Sequence, residues 1–415
     1  NNKKGTFMQR VVVTGMAGIS PLGNDWPTIL GNLRAGRTGI RQMPDWVNYE
    51  GLDTQLGAPA MFHPPAHFNR KKTRSMGQVA QMATHVAEQA LEQAGLLGEP
   101  VLTGGRTGVA YGSSAGSTAA VADFGGMLIH RSTLGLNANS YLKMMSHTTA
   151  VNIGVYFGLQ GRVHTTSSAC TSGSQGIGYA WEAIRFGLQD VMLAGGAEEL
   201  CPTQAAVFDT LFAASQDNDH PSRTPRPFDR DRDGLVVGEG AGALVLESLE
   251  HAQARGAPII AEIVGYGTNS DGRHVTQPNQ TTMATAMRLA LDSAGLNADC
   301  IGYVSAHGTA TTRGDVAESC ATEAVLGGAV PISSLKSYTG HTLGACGALE
   351  AWLTIEMMRQ GWFHPNANLD NVDPECGVLD YITGAGRELD CEFTMSNNFA
   401  FGGINTSLIF RRGPR

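Results

Sequence analysis

The sequence predicts an α/β fold built from two similar halves. Strand-like runs rich in β-branched residues alternate with helical patterns along the chain. Near residue 256 the pattern starts again, and each half has a short strand that leads into a helix dotted with glycine. We therefore expect an N-terminal half at residues 8–255 and a C-terminal half at 256–415. No low-complexity linker separates them, which favours one shared core over tethered domains.

In the first half, strands are indicated by β-branched residues and helices by apolar spacing. The strand at 10–14 carries consecutive valines, and Gly15 supplies the break after it. At 76–94 apolar residues recur every three or four positions, which predicts an amphipathic helix. A buried strand at 163–168 leads into the glycine-dotted helix, and a strand at 191–194 ends at Gly195. Two further strands are predicted at 106–111 and 242–246.

The second half follows the same alternation. A strand is predicted at 258–264 and an amphipathic helix at 282–295. The strand at 301–305 runs into a His-Gly-Thr turn, and the strand at 331–335 leads towards a glycine-studded helix from about Gly344. Both halves thus contain the same kind of strand-to-helix junction.

Composition and charge exclude several functional classes. Apolar residues make up 42% of the 415 residues, so the chain can bury a large core. Charged residues make up only 16%, which indicates an apolar oligomer interface. The net charge is −8 without a dense basic run, which argues against nucleic-acid binding. The longest basic cluster is either a solvated surface or a small docking patch for an acidic partner. It consists of Arg70, Lys71, Lys72 and Arg74.

Cysteine usage and hydropathy bear on the location of the protein. The seven cysteines lie at irregular intervals without a CxxC pair, which predicts a reducing compartment such as the cytoplasm and argues against disulfides or a zinc ribbon. No apolar stretch reaches the roughly 18 uncharged residues that a membrane span needs. Residues 1–7 are polar, and we expect them to be a frayed end or an artificial remnant.

The first candidate for chemistry is Cys170, in the run Ser167-Ser168-Ala169-Cys170-Thr171. It stands where a strand gives way to a small-residue helix. Unpaired N–H groups and the macrodipole at a helix N-terminus favour a thiolate, so we expect a lowered pKa and a reactive sulfur. The same N–H groups can stabilise the oxyanion that forms when a thioester is attacked. The alternative is a structural buried cysteine, which is common for this residue type.

Three later segments add further polar candidates. His307 lies in Ala306-His307-Gly308-Thr309 directly after a strand, and the alternative for it is a core histidine with satisfied hydrogen bonds. Lys336 and His341 share one turn after the next strand, and the lysine is either a solvated residue or a group that holds the geometry of a site. Two aromatic residues beside paired glycines at 396–405 indicate a bulky element on a flexible turn, or a core aromatic pair.

Together and in this order, these segments resemble the β-ketoacyl-(acyl carrier protein) synthases, the condensing enzymes of fatty acid and polyketide assembly. Within that family the chain is similar to the elongating Cys-His-His type. The resemblance runs from Val11 to Asn405 and includes the loop 226–234 with Gly238-Glu239-Gly240. It implies a thiolase-like fold, in which two similar halves form a five-layered α/β/α/β/α core, usually in a homodimer.

The resemblance also implies roles for residues in the centre of the site. Cys170 matches the nucleophile, and His307 and His341 match the two catalytic histidines. Lys336 matches the lysine that supports the site, and Glu350 matches a supporting acid.

Further roles concern the gate and the substrate arm. Phe401 matches the gating phenylalanine, whose backbone N–H joins that of Cys170 in an oxyanion hole, and Phe399 and Gly402 flank it in the same turn. Thr309 and Thr311 match threonines near the phosphopantetheine arm of the carrier.

The implied reaction is a decarboxylative Claisen condensation. An acyl group held on Cys170 is joined to a malonyl unit on an acyl carrier protein, which lengthens the chain by two carbons. No metal or redox cofactor is required, because phosphopantetheine carries both substrates. The expected partners are the acyl and malonyl forms of the carrier and a second subunit, identical or homologous.

Three positions depart from the family pattern. Ala400 stands where glycine is frequent between the two phenylalanines, so its Cβ is expected to stiffen the gate. Thr312 replaces a frequent proline, which should matter little. Ala115 stands near a position of the acyl pocket that is often bulkier, and our hypothesis is that long, rigid or polyunsaturated acyl groups are accepted. Ala115 and Ala400 thus favour a dedicated polyene or polyketide pathway over housekeeping fatty acid elongation.

Several alternatives are weighed against this interpretation. Non-decarboxylating thiolases resemble a Cys–His–Cys arrangement and starter-type condensing enzymes a Cys–His–Asn arrangement, and His341 disfavours both. A catalytically silent partner such as a chain-length factor typically lacks the nucleophile, whereas Cys170 is present here. A pure acyl-binding module needs neither the cysteine nor two histidines.

Overall fold

The computed structural model describes residues 8–414, and the expectation for residues 1–7 lies outside them. The strands are β1 (Val11–Ile19), β2 (Arg41–Gln42), β3 (Leu56–Ala58), β4 (Thr107–Gly112), β5 (Val163–Thr165), β6 (Val191–Glu198), β7 (Val237–Gly238), β8 (Gly240–Ser248), β9 (Ala261–Ser270), β10 (Ile301–Ser305), β11 (Pro331–Ser333), β12 (Trp362–Phe363), β13 (Asp380–Tyr381), β14 (Arg387–Glu388), β15 (Phe393–Ala400) and β16 (Ile404–Arg412). The helices are α1 (Trp26–Arg34), α2 (Arg70–Thr73), α3 (Gln78–Gln93), α4 (Thr118–His130), α5 (Ala138–Met144), α6 (Thr148–Phe157), α7 (Ser172–Arg185), α8 (Pro202–Asp209), α9 (Leu249–Ala254), α10 (Gln280–Ala294), α11 (Thr312–Leu326), α12 (Lys336–Thr339) and α13 (Cys346–Gln360).

An 11-stranded sheet forms the frame, in the order β13-β11-β10-β15-β16-β9-β1-β8-β6-β4-β5. In the first half, β5, β4 and β6 run parallel, while β8 and β1 follow antiparallel. In the second half, β11, β10 and β15 run parallel, while β16 and β9 follow antiparallel. The two halves therefore share one strand order, and a short antiparallel pairing of β1 with β9 joins them. This confirms the expected pair of similar halves, while the boundary at 255/256 stays a prediction.

Helices form three layers around the two halves of the sheet. In the middle, α7 and α13 pack on each other and on strands of both halves. On the outer faces, α3 and α6 cover the first half, and α10 with α11 covers the second. A helix buried on all sides must be apolar or small all round, which accounts for the small residues of α7 and α13. The order of layers is thus α/β/α/β/α, as predicted.

Glycine explains why two predicted strand ends are wrong. β1 continues through Gly15 to Ile19, and β6 continues through Gly195 to Glu198. A Cβ at Gly15 would lie 2.0 Å from the Ala90 carbonyl oxygen on α3, so this glycine admits a neighbouring backbone rather than ending a strand.

Three other strands also differ from the prediction. The strand before Cys170 is the short edge strand β5, and Val163 is 48% exposed instead of buried. β9 begins three residues later than predicted and runs on to Ser270. β11 ends at Ser333, because the chain turns there towards α12.

The parallel strands place the candidate residues at one edge of the sheet. β10 ends before His307, β11 ends before Lys336, and β15 ends before Phe401. Carboxyl ends of parallel strands meet at the same edge, and ligand sites of α/β proteins form there. Within residues 8–414 no helix combines the length and the apolar composition that crossing a membrane requires.

Candidate active site

Cys170 lies in a 3₁₀ turn, Ala169–Thr171, directly before α7. Ala169 adopts a left-handed φ of 52°, which is uncommon for a residue with a Cβ. The Ser172 hydroxyl holds this turn, because it accepts the Ser168 N–H at 3.0 Å and donates to the Ala169 carbonyl at 2.7 Å. A strained backbone persists only where its surroundings fix it. The turn therefore presents the buried thiol in one defined position.

The thiol is less acidic than its place at a helix start suggests. Burial raises the pKa of Cys170 to about 11, although the Lys336 charge and the N–H groups of Phe401 and Cys170 lower it. The expectation of a lowered pKa is therefore wrong, because removal from water costs the thiolate more than the helix start contributes. The Phe401 and Cys170 N–H groups are thus close enough to the thiol to lower its pKa, while their role in an oxyanion hole stays a prediction.

The two histidines face each other beside the thiol. His341 Nε2 lies 3.1 Å from Cys170 Sγ, and the rings of His307 and His341 are perpendicular with centroids 5.2 Å apart. Burial and the Lys336 charge hold the pKa of both histidines well below the usual value, so both are neutral at pH 7.

Hydrogen bonds at Nδ1 assign the tautomer of each ring. The Leu343 N–H donates to His341 Nδ1 at 3.2 Å. The Lys336 ammonium and the Asn398 amide both donate to His307 Nδ1 at 3.2 Å. Each Nδ1 is therefore an acceptor, and in a neutral ring the proton then lies on Nε2. Both rings consequently present an Nε2–H donor.

Lys336 and Glu350 form a buried ion pair behind His307. The ammonium donates to the two carboxylate oxygens at 2.9 and 3.0 Å, and the Asn398 amide donates to the same carboxylate at 3.1 Å. Burial lowers the pKa of Lys336, but the interactions with Cys346 and Glu350 raise this pKa by more, so the net shift is upward. The network keeps a cation beside His307 and fixes the orientation of its ring.

Three residues of this centre were missed by sequence reasoning. Asn398 lies within the aromatic run that was singled out, but only the pairing of β15 with β16 shows where its side chain points. Glu318 accepts the N–H groups of His307 and Gly308 at 2.6 and 2.7 Å, and burial raises its pKa to about 8. The Cys346 thiol donates to the Cys170 carbonyl at 3.2 Å. The spacing of Asp315 and Glu318, three residues apart on α11, is the signal that could have indicated Glu318.

A cavity of about 380 Å³ leads to these groups. Its wall includes Cys170 with both histidines, and also Phe399 and Phe401. Such a volume suits a narrow arm or a small substrate.

The remaining predicted residues lie at different places relative to this cavity. Thr309 and Thr311 are in its wall with their hydroxyl oxygens 2.9 Å apart, and Gly402 follows Phe401 in a left-handed turn. Lys336 and Glu350 lie behind the wall. Ala115 is half-buried in the turn after β4 and is not among the residues of the wall, so its role stays a prediction.

Aromatic packing surrounds the gate that the resemblance implies. The Phe401 ring lies 5.4 Å from Phe208, whose ring also packs 6.4 Å from His341. The Phe399 ring lies 6.1 Å from His307. Phe399 therefore packs beside His307 and Phe401 packs against the neighbour of His341, while the gating role of Phe401 stays a prediction.

Two sets of side chains bring metal-type ligand atoms together. Ligand atoms of Cys170, His307 and His341 lie within 4.8 Å of one another, as do those of His307, Cys346 and Glu350. Thiolate and imidazole suit a soft divalent ion. The Lys336 ammonium lies 3.2 Å from His307 Nδ1, so a positive charge is already present in the set of His307, Cys346 and Glu350. The same charge repels a cation from the set that contains Cys170. The donor chemistry thus fits a metal poorly, and the expectation of a cofactor-free reaction stays a prediction.

Known proteins resemble this chain over nearly its whole length. The N-terminal domain of beta-ketoacyl synthases matches residues 8–252, and the C-terminal domain matches residues 260–370. A 3-oxoacyl-[acyl-carrier-protein] synthase 2 of Vibrio cholerae is 39% identical over 419 residues, which cover 97% of this chain and 99% of that protein.

Solved structures extend the likeness to the fold. The crystal structure of a beta-ketoacyl synthase from Burkholderia phymatum is 60% identical, covers 98% of this chain and 100% of its own, and has a TM-score of 0.97. A type II PKS acyl-carrier protein in complex with its ketosynthase, bound to the hexaketide, is 30% identical with a TM-score of 0.86, and the match covers 98% of this chain and 100% of that chain. The thiolase-like fold class is thereby confirmed.

Proposed function

Since the chain belongs to the β-ketoacyl synthase family, we propose that it condenses an acyl group held on Cys170 with malonyl-acyl carrier protein. The acyl chain gains two carbons and carbon dioxide is released. The observation that carries the proposal is the convergence of one thiol and two neutral Nε2–H donors in a single cavity. A structural cysteine or an acyl-binding module requires no such convergence.

The first step transfers the acyl group to the enzyme. Cys170 Sγ attacks the carbonyl carbon of the acyl thioester, and a new C–S bond forms. The N–H groups of Cys170 and Phe401 stabilise the oxyanion. The bond to the carrier sulfur then breaks, and the thiol proton leaves with the carrier. The carrier's sulfur is thus the leaving group, and the acyl group stays on Cys170.

The second step generates the carbon nucleophile. Malonyl thioester enters the cavity and loses carbon dioxide, and the electron pair of the broken C–C bond becomes an enolate. The enolate oxygen accepts the Nε2–H groups of His307 and His341. A donor aimed at a developing oxyanion contributes about 3 kcal/mol to such a step.

The third step forms the new carbon–carbon bond. The enolate carbon attacks the acyl carbonyl on Cys170, and the same two backbone N–H groups receive the second oxyanion. The C–S bond to Cys170 breaks, the β-ketoacyl carrier departs, and the thiolate takes up a proton. All three steps use groups of the protein and the substrates, so we propose that no metal or redox cofactor takes part.

Lys336, Glu350 and Asn398 support these steps from behind the cavity wall. Two donors at His307 Nδ1 keep the proton of that ring on Nε2, the atom that donates to the enolate oxygen. The Lys336 charge also favours the thiolate of Cys170. We therefore assign them positioning and electrostatic roles rather than contact with substrate.

The proposed assembly is a dimer, either of two copies or with a homologue. β5 is an edge of the 11-stranded sheet, and α6 packs beside it. Val155 on α6 and Val163 on β5 are exposed. Leu128 and Ile129 on α4 and Leu134 after it are exposed too, and α4 packs on α5, which packs on α6. An open sheet edge beside exposed apolar side chains favours pairing with a second subunit.

A product assay tests the reaction. The protein is mixed with an acyl carrier and a malonyl carrier, and the carrier species are identified by mass spectrometry. We expect a β-ketoacyl carrier two carbons longer, with one carbon dioxide per product, and no product from Cys170→Ala. Carbon dioxide release without a longer product would refute condensation. No reaction by a folded protein would favour a silent subunit that needs a partner.

A further inference from the structure

Phe212 is an exposed aromatic residue at the mouth of the catalytic cavity. Its side chain is 89% exposed, yet it belongs to the cavity wall together with Leu211 and Val275, which are also exposed. Arg313 adds an exposed cation to the same rim. Single exposed apolar residues are ordinary, whereas three around one opening make a local apolar surface.

The backbone holds Phe212 in an unfavourable conformation. Its φ is +54°, which a residue with a Cβ rarely adopts. The turn is fixed on both sides, because the Phe212 N–H donates to the Asp209 carbonyl at 3.0 Å and the Ala213 N–H donates to the Phe208 carbonyl at 2.8 Å. The Asp209 carboxylate anchors the turn further by accepting the Thr54 N–H at 3.1 Å. A rigid turn therefore exposes an aromatic ring to solvent, although this requires an unfavourable backbone conformation at Phe212.

We propose that the apolar rim of Leu211, Phe212 and Val275 is the docking surface for the body of the acyl carrier protein, with Phe212 as its anchor. This inference rests on the proposed function. The substrate reaches Cys170 as a thioester on an arm, and the cavity of about 380 Å³ admits the arm but not the protein that bears it. The body of the carrier must therefore stop at the rim. Rigid aromatic side chains at an interface centre commonly dominate the binding energy.

This rim competes with the basic cluster on α2 as the docking site. Arg70, Lys71, Lys72 and Arg74 are exposed, but they are not part of the cavity wall. Lys72 lies over the Tyr156 ring at 5.2 Å, which ties the cluster to α6 rather than to the mouth. Within this chain the rim is thus the surface that surrounds the route to Cys170.

The test uses Phe212→Asn with Phe186→Ser as control. Asparagine tolerates a positive φ, so the substitution removes the ring and relieves the backbone. Phe186 is also an exposed phenylalanine, at 48%, but lies at the end of α7 away from the cavity wall. The condensation rate is measured with malonyl carrier protein and, separately, with a malonyl pantetheine thioester that has no carrier body.

For Phe212→Asn we expect the KM for malonyl carrier protein to rise about tenfold, as loss of an interface anchor does. The KM for the small thioester should rise much less, because only the carrier has a body that rests on the rim. The melting temperature should stay close to that of the unchanged protein, and Phe186→Ser should alter neither KM. An unchanged carrier KM, or equal changes with both substrates, would overturn the inference. A changed oligomeric state with an unchanged carrier KM would reassign the rim to self-association. If the unchanged protein condensed neither substrate, the proposed function itself would fail.

Discussion

Replacing Lys336 by methionine removes one partner of the buried ion pair behind the site. The ammonium and the Glu350 carboxylate are 1% and 2% exposed, and both carboxylate oxygens accept from the ammonium, at 2.9 and 3.0 Å. A carboxylate left alone in such surroundings costs about 3–5 kcal/mol of unfolding free energy. Glu350→Gln should cost a similar amount, because it leaves the ammonium unpaired. The double variant removes both charges, so it should lose at least about 2 kcal/mol less than the sum of the single losses.

Urea unfolding followed by circular dichroism measures these three losses. Additive losses would refute the ion pair as the reason for the burial of both groups. A second readout separates charge from stability, because the Lys336 charge lowers the pKa of the Cys170 thiol. We therefore expect slower alkylation of Cys170 by iodoacetamide at fixed pH both in Lys336→Met and in the double variant, because both lack the lysine charge. Alkylation at the unchanged rate in both would show that the lysine acts on structure alone.

Three further predictions concern the thiol, the acyl pocket and the basic cluster. Because the pKa of Cys170 is about 11, its alkylation rate should rise about tenfold per pH unit between pH 7 and 9, whereas a plateau by pH 8 would show an acidic thiol. Ala115→Ile should shift loading towards shorter acyl chains in a competition between carriers, and an unchanged chain-length preference would discard the pocket hypothesis. The alternative that the basic cluster docks the carrier predicts that charge reversal at Arg70, Lys71 and Lys72 raises the KM for carrier-bound substrate and spares small thioesters, whereas docking at the rim predicts no change in either KM, and equal effects on both would dismiss the cluster.

The alternation of strands and helices was predictable, but the meaning of glycine was not. Valine-rich runs and helical spacing located the main elements, since these patterns depend on local geometry. The sequence pattern predicts strand ends at Gly15 and Gly195, yet both glycines lie inside strands that continue. A glycine that ends a strand and one that admits a neighbouring backbone look alike in sequence. Only the position of α3 against β1 distinguishes them at Gly15.

The reactive side chains of the candidate site were predictable from the sequence, whereas the side chains that hold them in place were not. Cys170 and His307 stand at strand-to-turn junctions that sequence alone can indicate. Asn398 on β15 and Glu318 on α11 act through hydrogen bonds to His307 that depend on how these elements pack against the turn after β10. The acidity of Cys170 was also misjudged, because the helix start is visible in the sequence while the depth of burial is not. Burial is a property of the whole fold and therefore escapes local patterns.

Intact-protein mass spectrometry tests most directly whether Cys170 carries the acyl group. The protein is incubated with acyl carrier proteins that bear chains of different length and unsaturation, and its mass is then measured. We predict a gain of one acyl group in the unchanged protein and none in Cys170→Ala, with the fastest-loading chains indicating the preferred substrate. An acyl gain that persists in Cys170→Ala, or no gain from any carrier in a folded protein, would contradict the assignment of Cys170 as the nucleophile.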